Sequence, residues 1–203
     1  YQLQAKPFQL SADPSFFFSS KGHRRAMSYL EYGVHQGEGF IVITGEIGSG
    51  KTLLASTLAR KMTSRTLVLA QVVSTSLDAD DVVRMVAAAF GLSQENSKAE
   101  LLNRIEQFLL ACHRQGKRVL LLVDEAQNLP ARALEELRML SNFVSAGKPL
   151  LQTFLLGQPE FRKTLQSPEM EQLRQRVTAT CHLGPLDATE TAAYIVHRLL
   201  TVG

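Results

Sequence analysis

The chain has 203 residues, of which 45% are apolar and 20% charged, and its formal net charge is +3. These values suit one globular domain with a substantial core and exclude an intrinsically disordered chain, while the mildly basic charge neither requires nor excludes an anionic partner. No apolar run approaches the roughly 18 residues of a membrane span, no signal segment opens the chain, and Cys112 and Cys181 have no metal or redox spacing. We therefore expect a soluble protein of the reducing cytoplasm.

Strand and helix patterns alternate after an irregular N-terminal segment of about 20 residues. In chain order we expect a helix over 20–32, strand 40–44, helix 50–62, strand 66–73, helices 78–90 and 97–115, strand 119–123, helix 131–144, strand 150–156, a short helix from 159, helix 168–176, strand 177–183 and a final helix from 187. The strands are apolar runs rather than alternations, which predicts a parallel α/β sheet with helices on both faces. Ligands of such sheets bind beyond the carboxyl ends of the strands.

The first predicted strand is followed by a phosphate-binding motif. Its residues are Gly45, Glu46, Ile47, Gly48, Ser49, Gly50, Lys51 and Thr52, which fit G-x-x-x-x-G-K-[ST], with Leu53 next in the helix. The glycines let the backbone N–H groups point inward around a phosphate, and the helix N-terminus adds partial positive charge. Lys51 reaches the β- and γ-phosphates, and the Thr52 hydroxyl is a ligand for Mg²⁺. The motif therefore predicts a site for ATP or ADP with Mg²⁺.

Two acidic residues end the buried strand over 119–123. At the carboxyl end of such a strand, one carboxylate lies beside Mg²⁺ and a second orients and deprotonates the attacking water. We assign Asp124 to the metal and Glu125 to the general base. The letters DEAQ are also those of a helicase box, but a helicase motor needs two such cores and the chain is too short for two.

Three further polar residues follow the later strands. Gln158 comes at the tip of the strand over 150–156, where a side chain can sense the γ-phosphate, although it can equally be a turn residue before Pro159. Arg174 and Arg176 precede the last strand, and an arginine supplied to a neighbouring subunit's phosphate accelerates turnover. We favour Arg176 for this role and keep Arg174 as the alternative. Both residues can also be ordinary surface arginines.

The segment before the phosphate-binding motif contains two clusters of interest. They are Phe16, Phe17 and Phe18, and His23, Arg24 and Arg25. Either cluster can frame the adenine and its sugar or hold a neighbouring subunit. Phenylalanines are more often part of a core.

Taken together, these segments resemble the AAA+ ATPases of the general secretion pathway protein A (ExeA-like) type, in particular the ATPase of exosortase and exopolysaccharide systems. The stretches that carry the resemblance are KPFQLSADPSFFFSSKGHRRAMSYLEYG, GFIVITGEIGSGKT, LLLVDEAQNL, LEELRMLSNF, LLGQPEFR and LRQRVTATCHLGPLDATET. The resemblance implies a P-loop NTPase three-layer sandwich with sheet order 5-1-4-3-2 and ATP-dependent self-association. It supports the roles given to Lys51, Thr52, Asp124, Glu125 and Arg176, whereas Gln158 departs from the asparagine commonest at that position.

The resemblance also implies a division of the chain into three parts. Residues 1–38 form an N-terminal segment and helix that pack on the nucleotide site, residues 39–184 form the ATPase core, and residues 185–203 begin a helical lid. Only the first lid helix is expected, which suggests a fragment whose second arginine sensor lies beyond Gly203.

Three functions remain open at this point. The first is an ATPase that drives or regulates the assembly of a bacterial envelope secretion or exopolysaccharide export system, with an inner-membrane or envelope protein as partner. The second is a DNA-associated regulator of the transposition type, which the lack of an Arg/Lys stripe disfavours. The third is a slow nucleotide switch that acts as a binding module, which the presence of both Asp124 and Glu125 disfavours.

Overall fold

The computed structural model describes residues 4–8, 16–61, 66–74, 79–93 and 97–203. Its main sheet has five strands: β1 Phe40–Gly45, β2 Leu67–Val73, β3 Arg118–Asp124, β4 Leu151–Gly157 and β5 Val177–Leu183. All neighbouring pairs are parallel, in the order β2-β3-β4-β1-β5. Read from the β5 edge, the order is 5-1-4-3-2, as expected. Within the described ranges, no helix is long and apolar enough to cross a bilayer.

Eight α-helices are present in the described part of the chain. They are α1 Lys21–Gln36, α2 Lys51–Lys61, α3 Ala79–Ala89, α4 Lys98–Arg114, α5 Ala131–Leu140, α6 Phe161–Gln166, α7 Glu171–Arg174 and α8 Ala188–Val202, with 3₁₀ turns at Ala126–Asn128 and Pro168–Met170. Side chains cap three of the helix starts: Ser20 for α1, Ser97 for α4, and Asp187 with Glu190 in a capping box for α8.

The sheet lies between two apolar cores. Successive residues of a strand point to opposite faces, so Phe40 and Val42 of β1 join the core formed with α3, α4 and α5. Ile41 and Ile43 join the other core, which α1 and α2 complete. Both faces of the central strands are therefore covered, which confirms the three-layer α/β class.

The structure corrects three predicted helices. The predicted helix over 20–32 continues to Gln36 as α1, and Gly33 within it allows close packing on β1, since a Cβ there would lie 2.2 Å from Ile41 Cδ1. The predicted helix over 131–144 ends at Leu140, and Val144–Ser145 instead pairs with Lys148–Pro149 in a hairpin. The predicted helix over 168–176 is a 3₁₀ turn followed by the single turn of α7.

The two cysteines lie in the two apolar cores, one in each. Cys112 and Cys181 are buried, and burial raises the pKa of each thiol. Both thiols are therefore protonated near neutral pH and serve as small apolar side chains.

Candidate active site

The candidate site lies where β1, β3 and β4 end. The parallel arrangement brings Gly45, Asp124 and Gly157 to the same edge of the sheet. The segment over 46–50, here called the phosphate loop, runs from β1 to the first residue of α2. The backbone N–H groups of the phosphate loop therefore lie at the N-terminus of α2, where anions are stabilised.

Two glycines, the last residue of β1 and the last residue of the phosphate loop, have little room for a side chain. At Gly45 a Cβ would lie 2.6 Å from Ser49 Oγ and 2.7 Å from the Leu183 carbonyl oxygen. At Gly50, which has φ of 86°, a Cβ would lie 2.8 Å from His23 Nε2. The tight fold of the phosphate loop thus depends on these glycines.

Lys51 is only 6% exposed although it carries a charge. Its Nζ donates to the carbonyl oxygens of Gly45 (2.8 Å) and Glu46 (2.9 Å). Among the described residues, no carboxylate forms an ion pair with it. A buried ammonium held only by carbonyl groups is well suited to an incoming anion.

Thr52 and Asp124 meet beside the phosphate loop. Thr52 Oγ1 donates to Asp124 Oδ2 at 2.5 Å, and the backbone N–H of Glu125 donates to Asp124 Oδ1 at 2.9 Å. Asp124 is 6% exposed. Oxygen atoms are the ligands that Mg²⁺ prefers, so this hydroxyl–carboxylate pair fits that ion.

Glu125 follows β3 in an unusual backbone conformation. Its φ is 54°, in the left-handed region, a strained conformation for a non-glycine residue and one that recurs at functional sites. Gln127 Nε2 donates to Glu125 Oε2 at 2.5 Å, and Gln158 Nε2 lies 3.4 Å from the same oxygen. Gln158 N donates to Gln127 Oε1 at 3.0 Å. The two glutamines therefore fix the position of the carboxylate.

Gln127 was missed by the sequence analysis. It follows Glu125 by two residues, and its side chain reaches both the tip of β4 and the carboxylate. The available signal was its place in the DEAQ run, which was considered only as a helicase box. Gln158, by contrast, was chosen from its place after β4, and it lies beside Glu125.

A cavity of about 290 Å³ adjoins the phosphate loop. The lining comes from the phosphate loop, the three phenylalanines of the N-terminal cluster, the segment before α8 and one face of α8: Phe16, Phe17, Phe18, His23, Glu46, Ile47, Gly48, Ser49, Gly50, Leu53, Gly184, Pro185, Leu186, Tyr194 and Arg198. Leu53, which follows the phosphate-binding motif in sequence, lies in this lining. Arg24 and Arg25 are exposed and do not take part.

Arg198 is the central residue of the wall that α8 contributes. It is 5% exposed, its guanidinium lies 4.2 Å from the centre of the Phe16 ring and 5.8 Å from that of Tyr194, and its Nε donates to the Pro7 carbonyl. These contacts join α8 to the N-terminal segment. Tyr194 and Arg198 were missed, although their spacing of four places them on one face of α8.

Arg176 lies at the opposite end of the sheet from the phosphate loop. Its carbonyl oxygen accepts the N–H of Phe40, the first residue of β1. Its guanidinium donates to Ser141 Oγ (2.9 Å) and Asn142 Oδ1 (2.5 Å). Within one chain it therefore cannot reach a phosphate bound at Lys51.

Arg174 makes contacts of a different kind. Its Nη1 donates to the carbonyl oxygens of Leu165 and Ser167, each at 2.7 Å. These bonds complete the end of α6. Arg174 thus stabilises a connection within its own chain.

Acidic and basic groups meet near Arg176. A side-chain hydrogen bond from Arg138 lowers the pKa of Glu135, and the charges of Arg138 and Arg176 act in the same direction. Arg138 donates to both carboxylate oxygens of Glu135 at 2.7–2.9 Å. The surface around Arg176 is therefore an ordered polar region.

Comparisons with known proteins agree with this geometry. The AAA domain family model matches residues 34–165. General secretion pathway protein A of Aeromonas hydrophila is 37% identical over 205 residues, which include 100% of this chain and 37% of that protein. The chain thus spans little more than a third of the length of that relative.

Solved structures share the fold at low sequence identity. The Aeropyrum pernix ORC2 protein in its ADPNP–ADP complexes has a TM-score of 0.73 and 15% identity, covering 96% of this chain and 55% of that one. Cdc6p from Pyrobaculum aerophilum has a TM-score of 0.71 and 14% identity, covering 93% of this chain and 53% of that one.

Proposed function

The chain belongs to the AAA domain family, and from this premise we propose that it hydrolyses ATP with Mg²⁺ to drive or regulate the assembly of a bacterial envelope secretion or exopolysaccharide export system. One observation carries the catalytic part of the proposal: the phosphate loop, Lys51, the Thr52–Asp124 pair and Glu125 converge at the carboxyl ends of β1 and β3. The secretion part is supported by the 37% identity to general secretion pathway protein A.

The phosphates bind at the loop over 46–50. Lys51 exchanges the Gly45 and Glu46 carbonyl oxygens for oxygens of the β- and γ-phosphates, and the loop N–H groups surround them. Thr52 and Asp124 would supply oxygen ligands to Mg²⁺, which when bound neutralises charge on the phosphates. The base and sugar occupy the cavity beside Phe17, Leu186 and Tyr194.

Glu125 takes a proton from the attacking water. Both glutamine amides bond to its Oε2, and no hydrogen bond between described residues uses Oε1, so Oε1 accepts the proton. Gln127 and Gln158 keep the carboxylate in place while the γ-phosphate is attacked. Gln158, beside Glu125 at the tip of β4, also senses the γ-phosphate in this proposal.

Arg176 completes the site of a neighbouring subunit. It lies at the end of the sheet opposite its own phosphate loop, and its polar surroundings hold the guanidinium at the surface. An arginine supplied in trans stabilises the charge of the transition state. The active form is therefore a self-associated ring or filament.

Mixed oligomers test this arrangement. We expect Arg176→Ala subunits mixed with Glu125→Gln subunits to recover part of the ATP turnover that each variant lacks alone, because some interfaces then join an intact Glu125 to an intact Arg176. Phosphate release is measured as a function of the mixing ratio. The matched control is a mixture of Arg174→Ala with Glu125→Gln subunits. No recovery at any ratio, with oligomers still present by sedimentation, would argue against Arg176.

Duplex DNA separates the envelope role from a DNA-bound regulator. We expect steady-state ATP turnover to be unchanged by DNA at both low and high salt, because the partner is a protein of the inner membrane or envelope that recruits the chain from the cytoplasm. Stimulation by DNA that disappears at high salt, as phosphate contacts require, would favour the DNA-associated alternative. The absence of turnover in every condition would favour the nucleotide switch.

A further inference from the structure

His23 connects α1 to the phosphate loop. Its Nε2 lies 3.0 Å from the carbonyl oxygen of Ser49, and its Nδ1 lies 2.7 Å from Ser20 Oγ. Ser20 is the N-cap residue of α1 and accepts the His23 N–H. The contact spans 26 residues of sequence, so the loop over 46–50 is held from outside as well as by its own turn.

The proton positions on this ring follow from its partners. A carbonyl oxygen only accepts, so Nε2 carries the hydrogen that is donated to Ser49. Burial lowers the pKa of His23, although the Ser49 carbonyl and the charge of Glu190 act in the opposite direction. The ring is therefore neutral near pH 7, and Nδ1 accepts the hydroxyl hydrogen of Ser20.

The same ring also fills space against the loop. The closest approach is at Gly50, where an added Cβ would lie 2.8 Å from His23 Nε2. On its other side the ring meets Phe17 edge-to-face, with centroids 5.6 Å apart, and Phe17 lines the cavity. His23 thus touches both the wall of the cavity and the backbone that surrounds the phosphates.

We propose that His23 is a positioning residue: its Nε2–H holds the Ser49 carbonyl and keeps the phosphate loop in the shape that receives a nucleotide. Without this bond the Ser49 carbonyl loses its partner and the residues around Gly50, with its positive φ, are free to relax. The nucleotide part of the inference rests on the proposed function, whereas the effect on the loop does not.

Two variants separate the effect of the Nε2–H donor of His23 from the effect of its ring. His23→Phe keeps an aromatic ring against Phe17 and Gly50 but removes the N–H group. His23→Gln loses the ring but carries an amide N–H at a similar reach. His35→Gln, at an exposed position of the same helix, is the matched control.

Hydrogen exchange of the nucleotide-free protein gives the first readout. For the amides of residues 46–50 we expect exchange about fivefold faster in His23→Phe, because a loop that loses this partly buried hydrogen bond opens more readily. His23→Gln is expected to stay within about twofold of the wild type, because its amide N–H can still donate to the Ser49 carbonyl oxygen. The melting temperature of each variant shows whether the fold is retained.

Nucleotide affinity gives the second readout. We expect the Kd for ADP to rise about tenfold in His23→Phe and to recover in His23→Gln, with KM for ATP following Kd and kcat little changed. The proposal would be overturned if His23→Phe exchanged its loop amides at the wild-type rate. It would also be overturned if His23→Phe and His23→Gln were equally defective while both kept the melting temperature of the wild type. If the exchange results hold but the wild type binds no ADP, the proposed function fails and the role of His23 in the loop stands.

Discussion

Replacing Glu125 with glutamine is expected to lower the rate of ATP hydrolysis by about 10³-fold, the typical contribution of a positioned general base. The amide has the shape of the carboxylate and can still accept the Gln127 N–H, but it cannot take a proton from water. Binding of ATP should be retained within about twofold, because Glu125 contacts Gln127 and Gln158 and takes no part in the phosphate loop. Single-turnover hydrolysis and equilibrium titration with ATP measure the two effects separately.

A matched control for this variant is Glu38→Gln, which removes a carboxylate from an exposed position near the other end of the sheet. Its turnover should equal that of the wild type. If Glu125→Gln hydrolyses ATP as fast as the control, Glu125 is not the base, and Asp124 becomes the next acidic residue to examine.

Replacing Lys51 with alanine is expected to weaken nucleotide binding about 100-fold, because it removes two charge-assisted hydrogen bonds to the phosphates. The same change removes the bonds to the Gly45 and Glu46 carbonyl oxygens that hold the empty loop. Calorimetric titration with ADP measures the loss. Lys61→Ala, at the exposed end of the same helix, is the control and should bind as the wild type does.

Binding of ADP that is equal in Lys51→Ala and Lys61→Ala would remove Lys51 from the site. Loss of binding in both variants, together with a lower melting temperature, would mean instead that α2 had unfolded. The expected pattern, loss in the first and retention in the second, requires a phosphate at the N-terminus of α2.

The features that the sequence predicted correctly are those that a short contiguous stretch of residues defines. The strands are apolar runs, and the phosphate loop is a contiguous motif, so their chain order, parallel arrangement and main residues follow from short stretches. Asp124 and Glu125 were singled out for the same reason, because Asp124 is the last residue of β3 and Glu125 is the next.

The parts that were missed depend on contacts between distant segments. Gly33 lies inside α1, past the predicted end of that helix, where Ile41 of β1 occupies the space that a side chain would need. Tyr194 and Arg198 face the cavity only because the N-terminal segment crosses α8. The sequence of α8 alone does not show that the N-terminal segment packs against this helix.

Gln127 and Arg174 show the same limit at the site itself. Gln127 bridges the tips of β3 and β4, which are about 30 residues apart in sequence. Arg174 resembled Arg176 in the sequence, and only its bonds to the Leu165 and Ser167 carbonyl oxygens distinguish it as a residue that stabilises α6.

The central claim is that this chain hydrolyses ATP at the site formed by the phosphate loop, Thr52, Asp124 and Glu125. Steady-state release of phosphate from ATP by the wild-type chain, with Mg²⁺ and with Mg²⁺ chelated, tests it most directly. The structure leads us to expect release with Mg²⁺ and none without it. Release that is independent of Mg²⁺, or that persists in Glu125→Gln, would contradict the claim.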